Sequence, residues 1–388
     1  MLLEILVSKR ESKISNNTTD TNMSPPREPA VTVDDALLAA HLTAPASDRP
    51  ALVGAIDQGT SSSRFLVVTA AGRVLASAQV EFDQVFPPGR PGWHEHDPFA
   101  IWDSVAACAD AATAALGRRG LEDWTPDVVG ITNQRETVAC WNARSGRVYH
   151  NAIVWDDART GPVAAKIVEE CGGDADVLRA VTGLPIASYF AGTRVRWLID
   201  HCPRLKKDLM SPAERRYVRF GTIDTWLVYM LTGRPRDANP DGAGRAAHAG
   251  GVHATDVTNA SRWLFMDLET LEWDEGLVTF VCGGSGVTVP AATALPRIYP
   301  SSDTDIGTVS GEALPCLAGA TIGAILGDQH AALFGQACFS PGEVSVRCLS
   351  LCLADHGLAP ARQQFALADS QGWSGRSLLP SYLSTCNY

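Results

Sequence analysis

The sequence has no C-x-x-C pair and no Cys/His cluster at zinc spacing, although it holds 10 cysteines in 388 residues. Scattered thiols of this kind read as reduced cysteines of a cytosolic protein, so neither a disulfide framework nor a zinc site is expected. Basic residues are in deficit. With 32 Lys and Arg against 43 Asp and Glu the net charge is −11, and the basic stripe of a general nucleic-acid surface is lacking. A small anion held by local groups is not excluded by that balance. No apolar run approaches the length of a membrane span. Met1 to Val7 is too short for a signal h-region and contains an acid, Glu4. Asn16, Asn17 and Asn259, each in an Asn-x-Ser/Thr triplet, are therefore expected to stay unglycosylated.

What is present fits a soluble globular chain, 45% hydrophobic and 19% charged, with room for two or three domains. Residues 1–50, rich in Ser, Thr, Pro and Asn from Ser8 onward, read as a disordered extension. The next stretch organises the rest: Asp57-Gln58-Gly59-Thr60-Ser61-Ser62-Ser63-Arg64. Apolar residues lead into it (Ala51 to Ile56) and out of it (Phe65 to Val68), which reads as strand, tight polar turn, strand. A strand-end acid such as Asp57 can hold Mg²⁺, which prefers carboxylate and phosphate oxygens. Gly59 and the four hydroxyls after it can cradle phosphate. The same residue types are ordinary turn formers, and the octet alone leaves both readings open.

A third strand is expected over Val74–Phe82. Asp97 then caps, and Pro98 opens, a helix to about Leu116, with Ile101, Val105, Cys108, Ala112 and Ala115 near 3.6-residue spacing. His94 and His96 sit two apart, but no third ligand is in view and a metal pair is not favoured. A short strand, Val128–Thr132, delivers Asn133-Gln134-Arg135-Glu136, and strands over Thr137–Trp141 and Asn151–Trp155 follow. Helical patterns run from Arg159 to Asp200. A strand over Tyr217–Phe220 leads to a helix ending at Leu231, and 235–251 reads as a surface loop. A last strand, Ile322–Leu326, delivers Gly327-Asp328-Gln329-His330, with a helix over Ala331–Gln336. Three meander strands, a helix and further strands resemble the ribonuclease H-like fold of the actin and sugar-kinase group: α/β, a mixed sheet with flanking helices. Topology by itself assigns no function. Asp328 at a helix N-terminus is favoured as the anion and could accept a substrate hydroxyl's proton in phosphoryl transfer; plain N-capping would explain the same residue.

Several segments together carry a sharper resemblance. The octet 57–64, Pro91–Pro98, Gly130–Thr137, Asn151–Trp155, Phe220–Trp226, Thr255–Arg262 and Gly327–Gln336 closely resemble the glycerol kinases, in order and at family-like spacing from about Leu52 to Val344. The resemblance implies ATP-dependent phosphorylation of glycerol to sn-glycerol 3-phosphate. It implies that Arg135 and Glu136 bind glycerol hydroxyls, that Trp155 walls the carbon chain and that Tyr189 donates a hydroxyl contact. Asp328 becomes the general base with Gln329 beside the substrate, Asp57 organises Mg²⁺, and Thr60, Ser61, Ser62 and Arg64 face nucleotide phosphates. A cytoplasmic enzyme with glycerol and ATP as small-molecule partners is implied; such kinases often form dimers or tetramers, so a homo-oligomer is compatible with the resemblance, and the sequence itself does not decide the oligomeric state. A kinase of another polyol or ketose, or a non-catalytic glycerol-binding fragment, are the alternatives.

The chain departs from the pattern after Gly342-Glu343-Val344, where Ser345 to Cys352 replace a Thr-Tyr-Gly-Thr-Gly-x-Phe segment. One admissible codon set for Val346 to Leu351 reads Tyr-Gly-Ala-Phe-Leu when shifted by one base. The expected organisation is a kinase domain over 51–326, the start of a second domain over 327–344, and an atypical tail over 345–388 produced by a frame slip, a mis-assigned intron or a truncation. With the second domain largely missing, little kinase activity is expected.

Overall fold

The computed structural model describes residues 27–122, 124–236, 245–302 and 306–338. The tail after 344, the first 26 residues and the centre of the 235–251 loop lie outside them. In chain order the strands are β1 (Ala30–Val33), β2 (Leu52–Gln58), β3 (Ser62–Thr69), β4 (Val74–Glu81), β5 (Glu95–His96), β6 (Val128–Asn133), β7 (Val138–Asn142), β8 (Val148–Ile153), β9 (Val218–Thr222), β10 (Ala254–Asp256), β11 (Arg297–Tyr299) and β12 (Thr321–Gly327). The helices are α1 (Asp35–Thr43), α2 (Pro98–Gly117), α3 (Gly161–Glu170), α4 (Arg179–Thr182), α5 (Ala191–His201), α6 (Pro203–Met210), α7 (Ile223–Thr232), α8 (Val257–Ala260), α9 (Glu275–Gly283), α10 (Ala291–Ala294) and α11 (Asp328–Gly335).

Six strands form one sheet in the order β1-β4-β3-β2-β6-β12. β2, β3 and β4 are the antiparallel meander, and β2, β6 and β12 run parallel. This is the ribonuclease H-like arrangement expected from the strand order, with β1 added at the meander edge. β2 is an interior strand buried on both faces, which is why Leu52–Ile56 is continuously apolar rather than alternating. A second sheet, β5-β8-β7-β9, is antiparallel throughout. One apolar cluster, with Phe65, Ile101, Trp141 and Trp226, lies against the large sheet; another, with Phe190, Phe220, Trp263 and Phe265, lies against the smaller one.

Two expectations need correction. Residues 30–43 are not disordered: β1 pairs antiparallel with β4, and Asp34 caps α1 by accepting from the Leu37 N–H at 2.8 Å. β1, Ala-Val-Thr-Val, is a four-residue edge strand exposed except at Val33, and so short an apolar run inside a polar segment does not stand out as a strand. The second correction concerns α2, which at 20 residues is long and apolar enough, by length and composition, to cross a membrane. Its apolar residues are instead spent on β3 and β4, with Ile101, Trp102, Val105, Cys108 and Ala112 buried. Asp97 caps it as expected, accepting from the Phe99 N–H at 2.9 Å.

Boundaries shift elsewhere. α11 begins at Asp328 itself, three residues earlier than the apolar pattern indicates, and the polar run 255–262 holds β10 and α8, buried rather than surface-exposed. The consequence of the topology is positional. The carboxyl ends of the three parallel strands β2, β6 and β12 present Gln58, Asn133 and Gly327 side by side, the place where open α/β sheets bind ligands.

Candidate active site

The β2–β3 turn supplies the first group of side chains. Asp57 and Arg64 are cross-strand partners, with carboxylate and guanidinium 3.7 Å apart and both partly exposed. Arg64 also donates to Gln79 Oε1 at 3.0 and 3.2 Å, and Gln79 donates to Ser62 Oγ at 3.2 Å. The four hydroxyls do not act together. β3 begins at Ser62, and strand alternation turns Ser63 inward, where its Oγ shares a 2.7 Å hydrogen bond with Ser104 of α2. Thr60, Ser61 and Ser62 remain at the turn. The Asp57 carboxylate is partly exposed beside Arg64, and its oxygens are of the kind that suits Mg²⁺.

The end of β6 is unusual. The Thr137 N–H donates to the Arg135 carbonyl at 2.8 Å, closing a three-residue turn with Glu136 at its centre and φ of 60°. This is the rare, strained sense of the γ-turn, and a Glu there holds a conformation that favours glycine. Backbone strain of this kind persists where the surroundings over-determine it. Here the surroundings are an ion pair: Arg262 Nε donates to Glu136 Oε1 at 2.6 Å, with both side chains almost fully buried. Arg135 points the other way, placing its Nε 3.5 Å from Asp328 Oδ1. Its aliphatic stem crosses Gly327, where a Cβ would lie 2.4 Å from Arg135 Cδ. Asp328 is the first residue of α11, about one-third exposed, and accepts from the Gln329 N–H at 2.8 Å.

An aromatic wall closes the circuit. Trp155 Nε1 donates to Thr60 Oγ1 at 2.8 Å, and the Trp155 ring meets Tyr189 edge to face at 5.9 Å. Tyr189 in turn faces the Arg262 guanidinium at 5.5 Å. The chain of contacts thus runs from the hydroxyl turn through Trp155, Tyr189 and Arg262 to Glu136, and separately from Arg135 to Asp328. The Trp155 indole N–H thus ties this ring to the hydroxyl turn.

Sequence reasoning missed two arginines. Arg262 closes the Thr255–Arg262 segment, for which the resemblance implies no residue role. Arg194, fully buried on α5, donates to the carbonyls of Val154 at 3.1 Å, Tyr189 at 2.6 Å and Trp155 at 2.5 Å, so one guanidinium fixes the backbone of both wall residues. Burial pulls its guanidinium down to about 10, with Glu136 and Asp157 acting against that fall; it remains charged at neutral pH. Nothing local in the sequence marks the Arg262–Glu136 pair or the bonds from Arg194 to Val154 and Trp155, because those partners lie 39 or more residues apart. His94 and His96 both hydrogen-bond Gln84 Oε1, at 2.8 and 2.7 Å, and His94 Nδ1 lies 2.7 Å from Asp156. Burial first, then His94, hold His96 down at about 3. The pair is a hydrogen-bonding unit behind the turn, with Gln134 Nε2 3.3 Å from His96 Nδ1.

Residues 52–335 match the N-terminal domain of the FGGY family of carbohydrate kinases. The chain belongs to that family. Its FGGY relatives include proteins named glycerol kinase: one from Methylorubrum extorquens, 45% identical over 312 residues, which cover 80% of this chain and 55% of the relative. Glycerol kinase 1 of Streptomyces coelicolor is 41% identical over 291 residues, covering 75% of this chain and 51% of the relative. Among solved structures, Plasmodium falciparum glycerol kinase with ADP superposes with a TM-score of 0.62 at 30% identity, covering 76% of this chain and 52% of that one. Gluconate kinase from Lactobacillus acidophilus, at 18% identity and a TM-score of 0.54, shares the fold. This FGGY chain spans about half the length of the curated relatives it matches.

Proposed function

We propose that this chain carries the acceptor-substrate half of an ATP-dependent glycerol kinase, forming sn-glycerol 3-phosphate in the cytoplasm. The observation that carries the reading is the gathering of these groups at the strand ends. A base candidate (Asp328) with a cation beside it (Arg135), an anion locked in a strained turn (Glu136) and a pair of rings (Trp155, Tyr189) meet there. Arg135 offers donors and Glu136 acceptors to vicinal hydroxyls. The rings cover a short carbon chain. Asp328 takes the proton of the attacking hydroxyl as phosphoryl transfer proceeds, and Gln329 borders the same hydroxyl. Thr60, Ser61, Ser62 and Arg64 would meet the nucleotide phosphates, and Asp57 would hold Mg²⁺, which neutralises charge on the transferring group.

The names of the relatives favour glycerol over a ketose, and a panel of glycerol, ribulose and xylulose separates the two. Because the chain spans about half the length of those relatives, we propose that glycerol binding is retained while turnover is impaired. Asp328→Asn tests the base. It should cut any ATP-dependent phosphorylation of glycerol by at least about 100-fold while moving glycerol affinity less than about threefold. Equal turnover in the variant and the wild type removes Asp328 from the mechanism.

A further inference from the structure

Behind these strand ends, several polar groups converge on one fully buried carboxylate, Asp256. It accepts from the Thr258 N–H at 3.0 Å and Thr258 Oγ1 at 2.7 Å, from the Asn259 N–H at 3.0 Å and Asn259 Nδ2 at 2.9 Å, and from Ser301 Oγ at 2.7 Å. Among the described residues five donors reach its two oxygens, the acceptor-only pattern of a carboxylate. Thr258 gives its one hydroxyl proton to Asp256, so its oxygen is left as an acceptor. It accepts from the Gly327 N–H at 2.8 Å, one residue before Asp328.

The second branch works the same way. Asn259 Nδ2 donates to Asp256 and to Asn133 Oδ1 at 3.1 Å, which leaves Asn259 Oδ1 to accept from Asn133 Nδ2 at 2.9 Å. Asn133 Nδ2 also donates to the Gln134 carbonyl at 2.8 Å, where the strained turn begins. Asn133 and Gly327 are themselves partners across β6 and β12. One charge therefore sets the donor and acceptor sense of both branches, and both end at strand termini that carry site residues.

We infer that Asp256 is a positioning residue for the acceptor half of the site, holding Asp328 through Thr258 and Gly327, and the Arg135–Glu136 turn through Asn259 and Asn133. What it positions rests on the glycerol kinase reading; the network itself does not. The test uses Thr258→Val and Thr258→Ser beside Asp256→Asn in the full chain. Amide hydrogen exchange at Gly327 and Asp328 is measured without substrate, and glycerol affinity is measured by calorimetry. Thr258→Val should speed Gly327 exchange roughly tenfold, the effect of one lost hydrogen bond, and weaken glycerol binding several-fold, with the thermal midpoint little moved. Thr258→Ser should restore both. Asp256→Asn should reproduce both effects; if it does not fold, the Thr258 pair carries the test. Unchanged exchange in Thr258→Val overturns the proposal, and faster exchange with unchanged affinity overturns its functional half. If the wild-type chain binds no glycerol, the glycerol reading fails by itself and the exchange comparison alone decides the positioning.

Discussion

Glu136 and Arg262 form a pair with almost no solvent contact, and the two partners are not equivalent in how they can be replaced. Truncating one leaves the other buried without its counter-charge, which costs about 3–5 kcal/mol, whereas neutralising both is far milder. Arg262→Ala should therefore lower the thermal midpoint sharply, and Arg262→Ala combined with Glu136→Gln should recover much of it. Additive losses in the double variant would show that the pair is not coupled. A second residue-scale effect involves Asp224, fully buried next to the charged network. Burial, and then Asp256, raise its carboxyl to about 7, with Thr255 Oγ1 donating to it at 2.5 Å. A raised carboxyl keeps its proton in the folded chain after the unfolded chain has released its own. That contribution to stability is present at acid pH and is lost as pH rises from about 4 to about 7, on the order of 1.4 kcal/mol per pH unit. Asp224→Asn should flatten this slope in denaturant unfolding followed from pH 5 to pH 8. Parallel wild-type and variant curves would contradict it.

At the scale of elements, the strand ends were legible and their partners were not. The β2–β3 hairpin, β6 and β12 announce themselves by short apolar runs that end in polar residues, and α2 by its cap and spacing. Sequence pattern cannot show that Ser63 turns into the core, because turn and strand share the same hydroxyl residues and one residue of register decides which face each takes. Nor can it show β1, whose stability comes from the edge of β4 rather than from burial. Arg194 and Arg262 were invisible for another reason. They act on backbone and side chains brought near by the fold, and no local period encodes that. Gly327 shows the same coupling between elements. It permits the stem of Arg135 to cross the start of α11, so Gly327→Ala must displace Arg135 or the helix. Overpacking of this type costs about 1–3 kcal/mol. The variant should lose glycerol affinity by a larger factor than an alanine placed at the open Gly161, as calorimetry on the two proteins would check. Equal affinities would mean that Arg135 has room to move without consequence.

For the molecule as a whole, the parallel strands and their loops gather side chains from residues 57 to 328 at one end of the sheet, where the proposed acceptor half-site lies. The fold class was legible from sequence, and the residues expected at the site were nameable, because the family motifs sit at strand ends, where topology gathers them. The supports behind them, from Arg194 to Asp256, needed the assembled chain. On the proposed reading these strand ends accept glycerol. The most direct measurement is a calorimetric titration of glycerol into the purified 388-residue chain, repeated with Trp155→Ala and Arg135→Ala. Saturable one-site binding in the wild type, weakened at least about tenfold in each variant, is the expected result. Absence of binding, or binding that both variants keep unchanged, would contradict the account.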